Sequence, residues 1–103
     1  MEMHRRKRVE IVVEKQLLRH VTAALRQRHE ITGFTVLPCL GGAGHHGLRA
    51  PDAITDVLDN VVIVVITREE VAQALLDDLM ELLEDRIGIV CVSDVEVVRA
   101  GHF

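Results

Sequence analysis

Residues 41–49 read GGAGHHGLR, and their residue types suit two kinds of binding site. Glycine lacks a Cβ and accepts positive φ angles, so the backbone N–H groups of a glycine-rich stretch can turn together toward a phosphate. Arg49 can add a charge-assisted hydrogen bond to the same anion. The adjacent histidines His45 and His46 are instead side chains that metal ions favour. The stretch alone leaves a phosphate site and a metal site open.

The metal hypothesis meets a geometric difficulty. Adjacent side chains on an extended backbone point in opposite directions, so His45 and His46 would rarely chelate one ion by themselves. Cys39 or His20 would have to complete the set, and no Cys-x-x-Cys or His-x-x-x-His spacing supports this. Solvent-exposed loop histidines are the simpler interpretation. Cys39 and Cys91 are expected to be small apolar core residues of two strands.

Composition narrows the class of protein. The chain has 103 residues, 49% hydrophobic and 27% charged, which predicts one globular domain spanning residues 1–103. Aromatic residues make up 2%, so the base-stacking platforms of single-strand nucleic-acid binders are missing. The net charge of −4 gives no general attraction to nucleic acid or anionic lipid. We expect no nucleic-acid partner, membrane contact that is peripheral at most, and a frayed N-terminus at the basic run HRRKR, residues 4–8.

Targeting and catalytic motifs are both missing from the sequence. No stretch resembles a transmembrane helix or a signal peptide, and the two cysteines form no disulfide-rich framework. These features predict a cytoplasmic protein. Neither a nucleophile elbow nor paired carboxylates at a suitable spacing occur, so we expect a protein that is not an enzyme.

Apolar periodicity predicts the element order β-α-β-loop-β-α-β. Strands are expected at 8–14, 33–40, 60–67 and 88–98, and helices from 15 to a break at Gly33 and at 68–86. Pro38 favours an edge position for the second strand, and the polar pair Ser93–Asp94 suggests an interruption of the last one. Residues 41–59 are predicted to form a long loop with a turn of helix near 54–58.

This order is that of an α+β fold, the ferredoxin-like split β-α-β (βαββαβ). It has a four-stranded antiparallel sheet, two helices on one face, and here a long insertion after the second strand. The nearly continuous apolar run at 60–67 is expected to be buried on both faces. Val12, Val62 and Val64 can point to the face without helices, where self-association would cover them.

Three stretches of the chain resemble one protein family. They are VEIVVEKQLL (9–18), TGFTVLPCLGGAGHHGLR (32–49) and GIVCVSDVEVVRAGHF (88–103). Together with the element order they resemble the PII signal-transduction superfamily, and within it the PII-like branch associated with bicarbonate transporters and carboxysomes. The resemblance implies a homotrimer with adenine nucleotides in the clefts between subunits. Residues 41–59 look like its T-loop, 86–90 like its B-loop, and the tail after Val98 like its C-loop.

The resemblance also implies the site residues and the ligands. Backbone N–H groups of Gly41, Gly42 and Gly44 would hold phosphates, and Arg49 with His46 would supply positive charge. The cleft around adenine and ribose would be lined by Thr35, Val36, Gly88, Ile89 and Val90, with Arg99 reaching in from the tail. The implied ligands are AMP or ADP together with bicarbonate, and no cofactor. A bound effector would change the T-loop and thereby control a partner protein such as a bicarbonate transporter.

Two departures from the family pattern refine these expectations. The B-loop-like stretch EDRIGIV has one glycine and no lysine, so tight binding of ATP and 2-oxoglutarate is not expected. Ala43 and His46 stand where Lys and Arg are frequent in the branch, which favours ligands with fewer phosphates. Two alternatives stay open: a metal-handling trimer that uses Cys39, His45 and His46 across subunits, and a structural trimer whose loop only docks a partner.

Nucleotide affinity is predicted to depend on pH through His46. An imidazole titrates at about pH 6.5, and a phosphate beside it would favour the protonated form and raise its pKa. Affinity for AMP and ADP should therefore strengthen as the pH falls from about 8 to about 6, until protonation of the phosphate itself opposes the trend. Titration calorimetry should show His46→Arg binding more tightly and with most of this slope removed. A His46→Ala variant that kept both affinity and slope would place His46 in solvent.

Overall fold

The computed structural model describes residues 1–41 and 59–103. The strands form one layer and the helices a second, and the apolar sides of the two layers face each other. The strands are β1 (His4–Glu14), β2 (Thr35–Pro38), β3 (Asn60–Thr67) and β4 (Gly88–Val97), and the helices are α1 (Leu18–Gln27) and α2 (Glu69–Leu82). Two short 3-10 turns follow β1 and β4, at Lys15–Leu17 and Ala100–His102. The sheet order is β2-β3-β1-β4 with antiparallel neighbours throughout, which confirms the predicted ferredoxin-like arrangement.

The core lies between the sheet and the helices and is aliphatic. Every second residue of β3, and of β1 from Val9 to Val13, is buried there, and the helices cover them with their own apolar stripes. The fully buried members include Val9, Ile11, Ile63, Val65, Val21, Leu25, Leu75 and Leu79. Burial of a Val, Leu or Ile side chain contributes about 1.5–3 kcal/mol. The aliphatic core is therefore the main contribution to the stability of the folded chain.

The opposite face of the sheet carries the alternate residues. Val62, Val64 and Ile66 of β3 are half-buried, in contrast to their neighbours Val61, Ile63 and Val65. The prediction that β3 is buried on both faces is therefore wrong within one chain, because the described elements place helices on one face only. The prediction that Val12, Val62 and Val64 point to the other face agrees with this alternation.

The basic run at residues 4–8 is part of β1, so the prediction of a frayed terminus is wrong. His4 to Arg8 pair with Val97 to Ser93 of β4 in an unbroken register. The ammonium of Lys7 also donates a hydrogen bond to the Asp94 carboxylate. That bond lowers the pKa of Asp94 and raises the pKa of Lys7. The same pairing carries β4 through Ser93 and Asp94 without the predicted interruption.

Other element boundaries differ modestly from the predictions. β2 is shorter than 33–40, and Pro38 ends it at the edge of the described sheet, as predicted. α2 ends at Leu82 rather than at 86, and the predicted turn near 54–58 lies outside the described residues. The guanidinium of Arg28 donates two hydrogen bonds to Asp78, at 2.8 and 3.0 Å, and so links the end of α1 to α2.

Gly88 has a packing role that a substitution should reveal. A Cβ at Gly88 would lie 3.1 Å from Val13 Cγ1, 3.2 Å from Leu83 Cδ1 and 3.4 Å from the Val12 carbonyl oxygen. We expect Gly88→Val to lower the free energy of unfolding by about 1–3 kcal/mol through overpacking. Urea denaturation at one fixed protein concentration measures this change. The matched control is Gly33→Val, because a Cβ there meets nothing within 4 Å. Equal stability of the two variants would contradict the prediction.

Candidate functional site

The C-terminal tail crosses the helix-free face of the sheet. After β4 ends at Val97, the chain forms the 3-10 turn Ala100–His102. Arg6, on the helix-free side of β1, donates from Nε to the Phe103 carbonyl (3.3 Å) and from Nη2 to the Ala100 carbonyl (3.2 Å). Thr32, just before β2, donates its hydroxyl hydrogen to the His102 carbonyl. The tail is thus tied to both β1 and the segment that enters β2.

A cavity of about 480 Å³ lies between this tail and the sheet. We call it the tail cavity. Its lining residues are Thr32, Gly33, Phe34, Thr35, Val64, Ile66, Gly101, His102 and Phe103. Val64 and Ile66 form an apolar floor, while two threonine hydroxyls and one imidazole provide hydrogen-bonding groups. An apolar surface with a few placed polar groups suits a flat, mostly apolar ring that carries some hydrogen-bonding atoms.

The structure divides the predicted site residues among several places. Thr35 lines the tail cavity, whereas its neighbour Val36 points to the other face of β2 and lines a different groove. Arg99 precedes the 3-10 turn of the tail, and its carbonyl accepts a hydrogen bond from the His102 N–H at 3.0 Å. Gly41 is exposed just after β2. The remaining loop residues lie outside the described range: Gly42, Gly44, His45, His46 and Arg49.

Gly88, Ile89 and Val90 lie far from Thr35 in the sheet. They begin β4 at one edge, whereas β2 forms the other edge of the described sheet. Val90 packs against the core, and Ile89 is 55% exposed. One chain therefore does not bring the predicted B-loop residues and Thr35 together.

Several residues of the cavity were not among the predicted site residues. Val64, Ile66 and His102 line it, and Arg6 holds its roof. The alternation of β1 places Arg6 on the face opposite Val9, and this orientation follows only once β1 is seen to include residues 4–8. The partners of Arg6 could not be predicted from the sequence, because the carbonyls that accept its hydrogen bonds lie 94 and 97 residues further along the chain.

The prediction that Cys39 and Cys91 are core residues is wrong. Cys91 is exposed, with its Sγ 4.0 Å from Glu10 Oε2, and Cys39 is only half-buried. Within residues 1–41 and 59–103, no group of three or more His, Cys, Asp or Glu side chains is arranged to hold a metal ion. The same part of the chain contains no helix that is long and apolar enough to cross a membrane.

Comparison with known proteins identifies the family. The chain matches the family "Nitrogen regulatory protein P-II" over residues 6–102. It therefore belongs to the PII family. No curated protein matches it in sequence.

Solved structures of PII-like proteins share the fold over nearly the whole chain. CPII from Thiomonas intermedia K12, bound to ADP and bicarbonate, superposes with a TM-score of 0.84 at 25% identity, covering 99% of this chain and 97% of CPII. CPII bound to ADP, AMP and bicarbonate gives a TM-score of 0.81 at 25% identity, covering 99% and 96%. A putative PII-like signalling protein from Thermus thermophilus gives 0.78 at 28% identity, covering 100% and 99%.

The hydrogen bonds of Arg6 are predicted to hold the tail on the sheet. Removing two charge-assisted bonds should let the tail open more often, so Arg6→Gln should raise amide hydrogen exchange at His102 and Phe103 about tenfold. Arg5→Gln is the matched control, because Arg5 is the exposed neighbour on the other side of β1. Equal exchange rates at the tail in both variants would show that Arg6 does not hold it.

Proposed function

We propose that this PII protein is a non-enzymatic regulator that senses AMP or ADP together with bicarbonate. The observation that supports this most directly is the tail cavity, in a chain that shares its fold with CPII over 99% of its length. CPII is seen with ADP, AMP and bicarbonate bound. A purine ring has the flat apolar faces and the few edge nitrogens that the cavity suits. Thr35, Thr32 and His102 would contact its edge, and Val64 and Ile66 its face.

The position of the strands supports a site that is completed between subunits. Because β2 and β4 lie at opposite edges of the described sheet, Thr35 of one subunit can meet Gly88, Ile89 and Val90 only in a second subunit. PII proteins form trimers, and a closed ring of three brings unlike edges of neighbouring copies together. We propose that this homotrimer also covers Val12, Val62 and Val64. Arg99 would then reach the nucleotide from the tail.

The phosphates and bicarbonate are assigned to the segment that follows β2. Gly41 is exposed where that strand ends, next to the glycine-rich stretch. We propose that N–H groups of Gly41, Gly42 and Gly44 bind phosphate, with Arg49 and His46 supplying positive charge. Bicarbonate needs only hydrogen-bond donors and a positive charge, and its support here is the likeness to CPII. The segment 41–59 would pass the signal to a cytoplasmic or membrane-attached partner in inorganic carbon metabolism, such as a bicarbonate transporter.

Titration calorimetry tests the ligands directly. We expect AMP and ADP to bind with Kd values below about 1 mM, and bicarbonate to change at least one of these affinities by linkage. Zn²⁺ serves as the comparison ligand, because the metal-handling alternative predicts that it binds and that the nucleotides do not. Failure of both nucleotides to bind, with and without bicarbonate, would refute the proposed function.

The Thr35 hydroxyl is predicted to contribute to nucleotide affinity. Thr35→Val keeps the shape of the side chain and its β-strand preference but removes the hydroxyl, which should weaken AMP and ADP binding about three- to tenfold. Ser93→Ala is the matched control, because it removes an exposed hydroxyl from β4. Unchanged affinity in Thr35→Val would place the purine outside the tail cavity.

A further inference from the structure

A second groove lies between α1 and β2, on the side away from the tail. Its volume is about 510 Å³. We call it the α1 groove. Its lining residues are Lys15, Gln16, Leu18, Arg19, His20, Thr22, Arg26, Phe34 and Val36. Nothing in the proposed nucleotide site uses its charged residues, which therefore need a separate explanation.

The α1 groove is positively charged in a negatively charged protein. Lys15, Arg19 and Arg26 are exposed and carry a full positive charge each, and no acidic residue is among the described lining residues. None of the three takes part in an ion pair within residues 1–41 and 59–103. The chain as a whole has a net charge of −4, and α2 carries five acidic residues and no basic one. Within the described residues no ion pair therefore neutralises these three charges, and the Glu14 carboxylate beside the groove accepts its hydrogen bond from Gln16 at 2.9 Å.

The spacing of these charges indicates an extended ligand. Arg19, Thr22 and Arg26 recur at intervals of three and four residues, which places them along one stripe of α1, and Lys15 lies in the 3-10 turn just before it. At about 1.5 Å of rise per residue, Arg19 and Arg26 are separated by about 10 Å along the helix axis. Cations that start two helical turns apart are spread along the groove. They suit a chain that carries several separate anionic groups.

The floor of the groove is apolar. Leu18, Phe34 and Val36 contribute to it, and Val36 is 39% exposed. The guanidinium of Arg26 lies 5.7 Å from the centroid of the Phe34 ring, within the range of a cation–π contact. That contact favours a side-chain position for Arg26 beside the floor. Cations along an apolar strip match a peptide in which acidic residues flank an apolar side chain.

We infer that the α1 groove binds an acidic segment of a partner protein, with carboxylates on Arg19 and Arg26 and an apolar side chain against Phe34 and Val36. Nucleic acid fits less well, because the net negative charge of the chain repels a long polyanion and the floor offers no row of aromatic rings. Phe34 lines both cavities, but the cations of the α1 groove are not assigned to the nucleotide site, so the two proposals are tested by different variants.

Fluorescence anisotropy of a labelled peptide tests the inference on the full chain. The probe is Gly-Glu-Glu-Leu-Phe-Glu-Glu-Gly, in which the inner glutamates lie about 10 Å apart and the outer glutamates about 17 Å apart when the chain is extended. Its control replaces each Glu with Gln. At low ionic strength we expect the acidic peptide to bind and the Gln peptide to bind at least about tenfold more weakly. Arg19→Glu and Arg26→Glu should each weaken the acidic peptide about tenfold or more.

Arg68→Glu is the matched charge-reversal control, because Arg68 is exposed at the start of α2 and outside the groove. It should leave peptide binding within about twofold of the parent protein. The inference is refuted if the Gln peptide binds equally well, if Arg68→Glu loses as much affinity as Arg19→Glu, or if oligo-dT displaces the peptide and binds more tightly.

Two further readouts distinguish other uses of the groove. Arg19→Glu should keep the parent's affinity for AMP and ADP, and its mass by analytical ultracentrifugation should be unchanged. Loss of nucleotide affinity would assign the groove to the nucleotide site, and a change in subunit number would make it an interface between copies of the chain. Either result overturns the assignment to an acidic partner, while failure of nucleotide binding in the parent protein would affect only the proposed function.

Discussion

The two-residue period of β1 is the constraint on which the rest of the structure depends. β1 is flanked by β3 on one side and β4 on the other, so its residues are held in register along eleven positions. Val9, Ile11 and Val13 are buried beneath the helices. The alternate residues, Arg6 among them, face the other way. A shift of one position would expose the core valines and would turn Arg6 away from the carbonyls of the tail.

The position of the strands in the sheet then separates the parts of the candidate site. β2 carries Thr35 at one edge, and β4 begins with Gly88 at the other. The tail crosses from the β4 edge toward β2 and brings Gly101, His102 and Phe103 over Val64 and Ile66. A single chain therefore builds one wall, the floor and the roof of a cavity. In the proposed homotrimer, a second chain would add the residues that begin β4.

Local pattern was sufficient to predict the element order, the helix-covered core and the edge position of Pro38. These features depend on periodicity and on the missing N–H of proline, both of which are properties of short segments. The length of β1 and the continuity of β4 were predicted wrongly, because each strand is stabilised by the other across the sheet. A run such as HRRKR has no signal of its own that distinguishes a paired strand from a solvated terminus.

The residues of the candidate site could be predicted only in part, because several of them meet through contacts between distant segments of the chain. Thr35 lines the tail cavity, whereas Val36, which was predicted for the same cleft, lines the α1 groove because neighbouring strand residues face opposite ways. The roof of the tail cavity depends on hydrogen bonds between residues that are distant in sequence. Thr32 bonds a carbonyl 70 residues away, and Arg6 bonds carbonyls 94 and 97 residues away. Likewise, only the fold places the guanidinium of Arg26 over the Phe34 ring.

Amide chemical-shift mapping tests most directly whether the tail cavity binds the purine. Isotope-labelled protein would be titrated with ADP in the presence of bicarbonate, and the shifts of the backbone amides would be followed. The account predicts the largest shifts at residues 32–35 and 99–103, with smaller ones at Val64 and Ile66. Saturable ADP binding with shifts confined to other parts of the chain, such as α2, would contradict it.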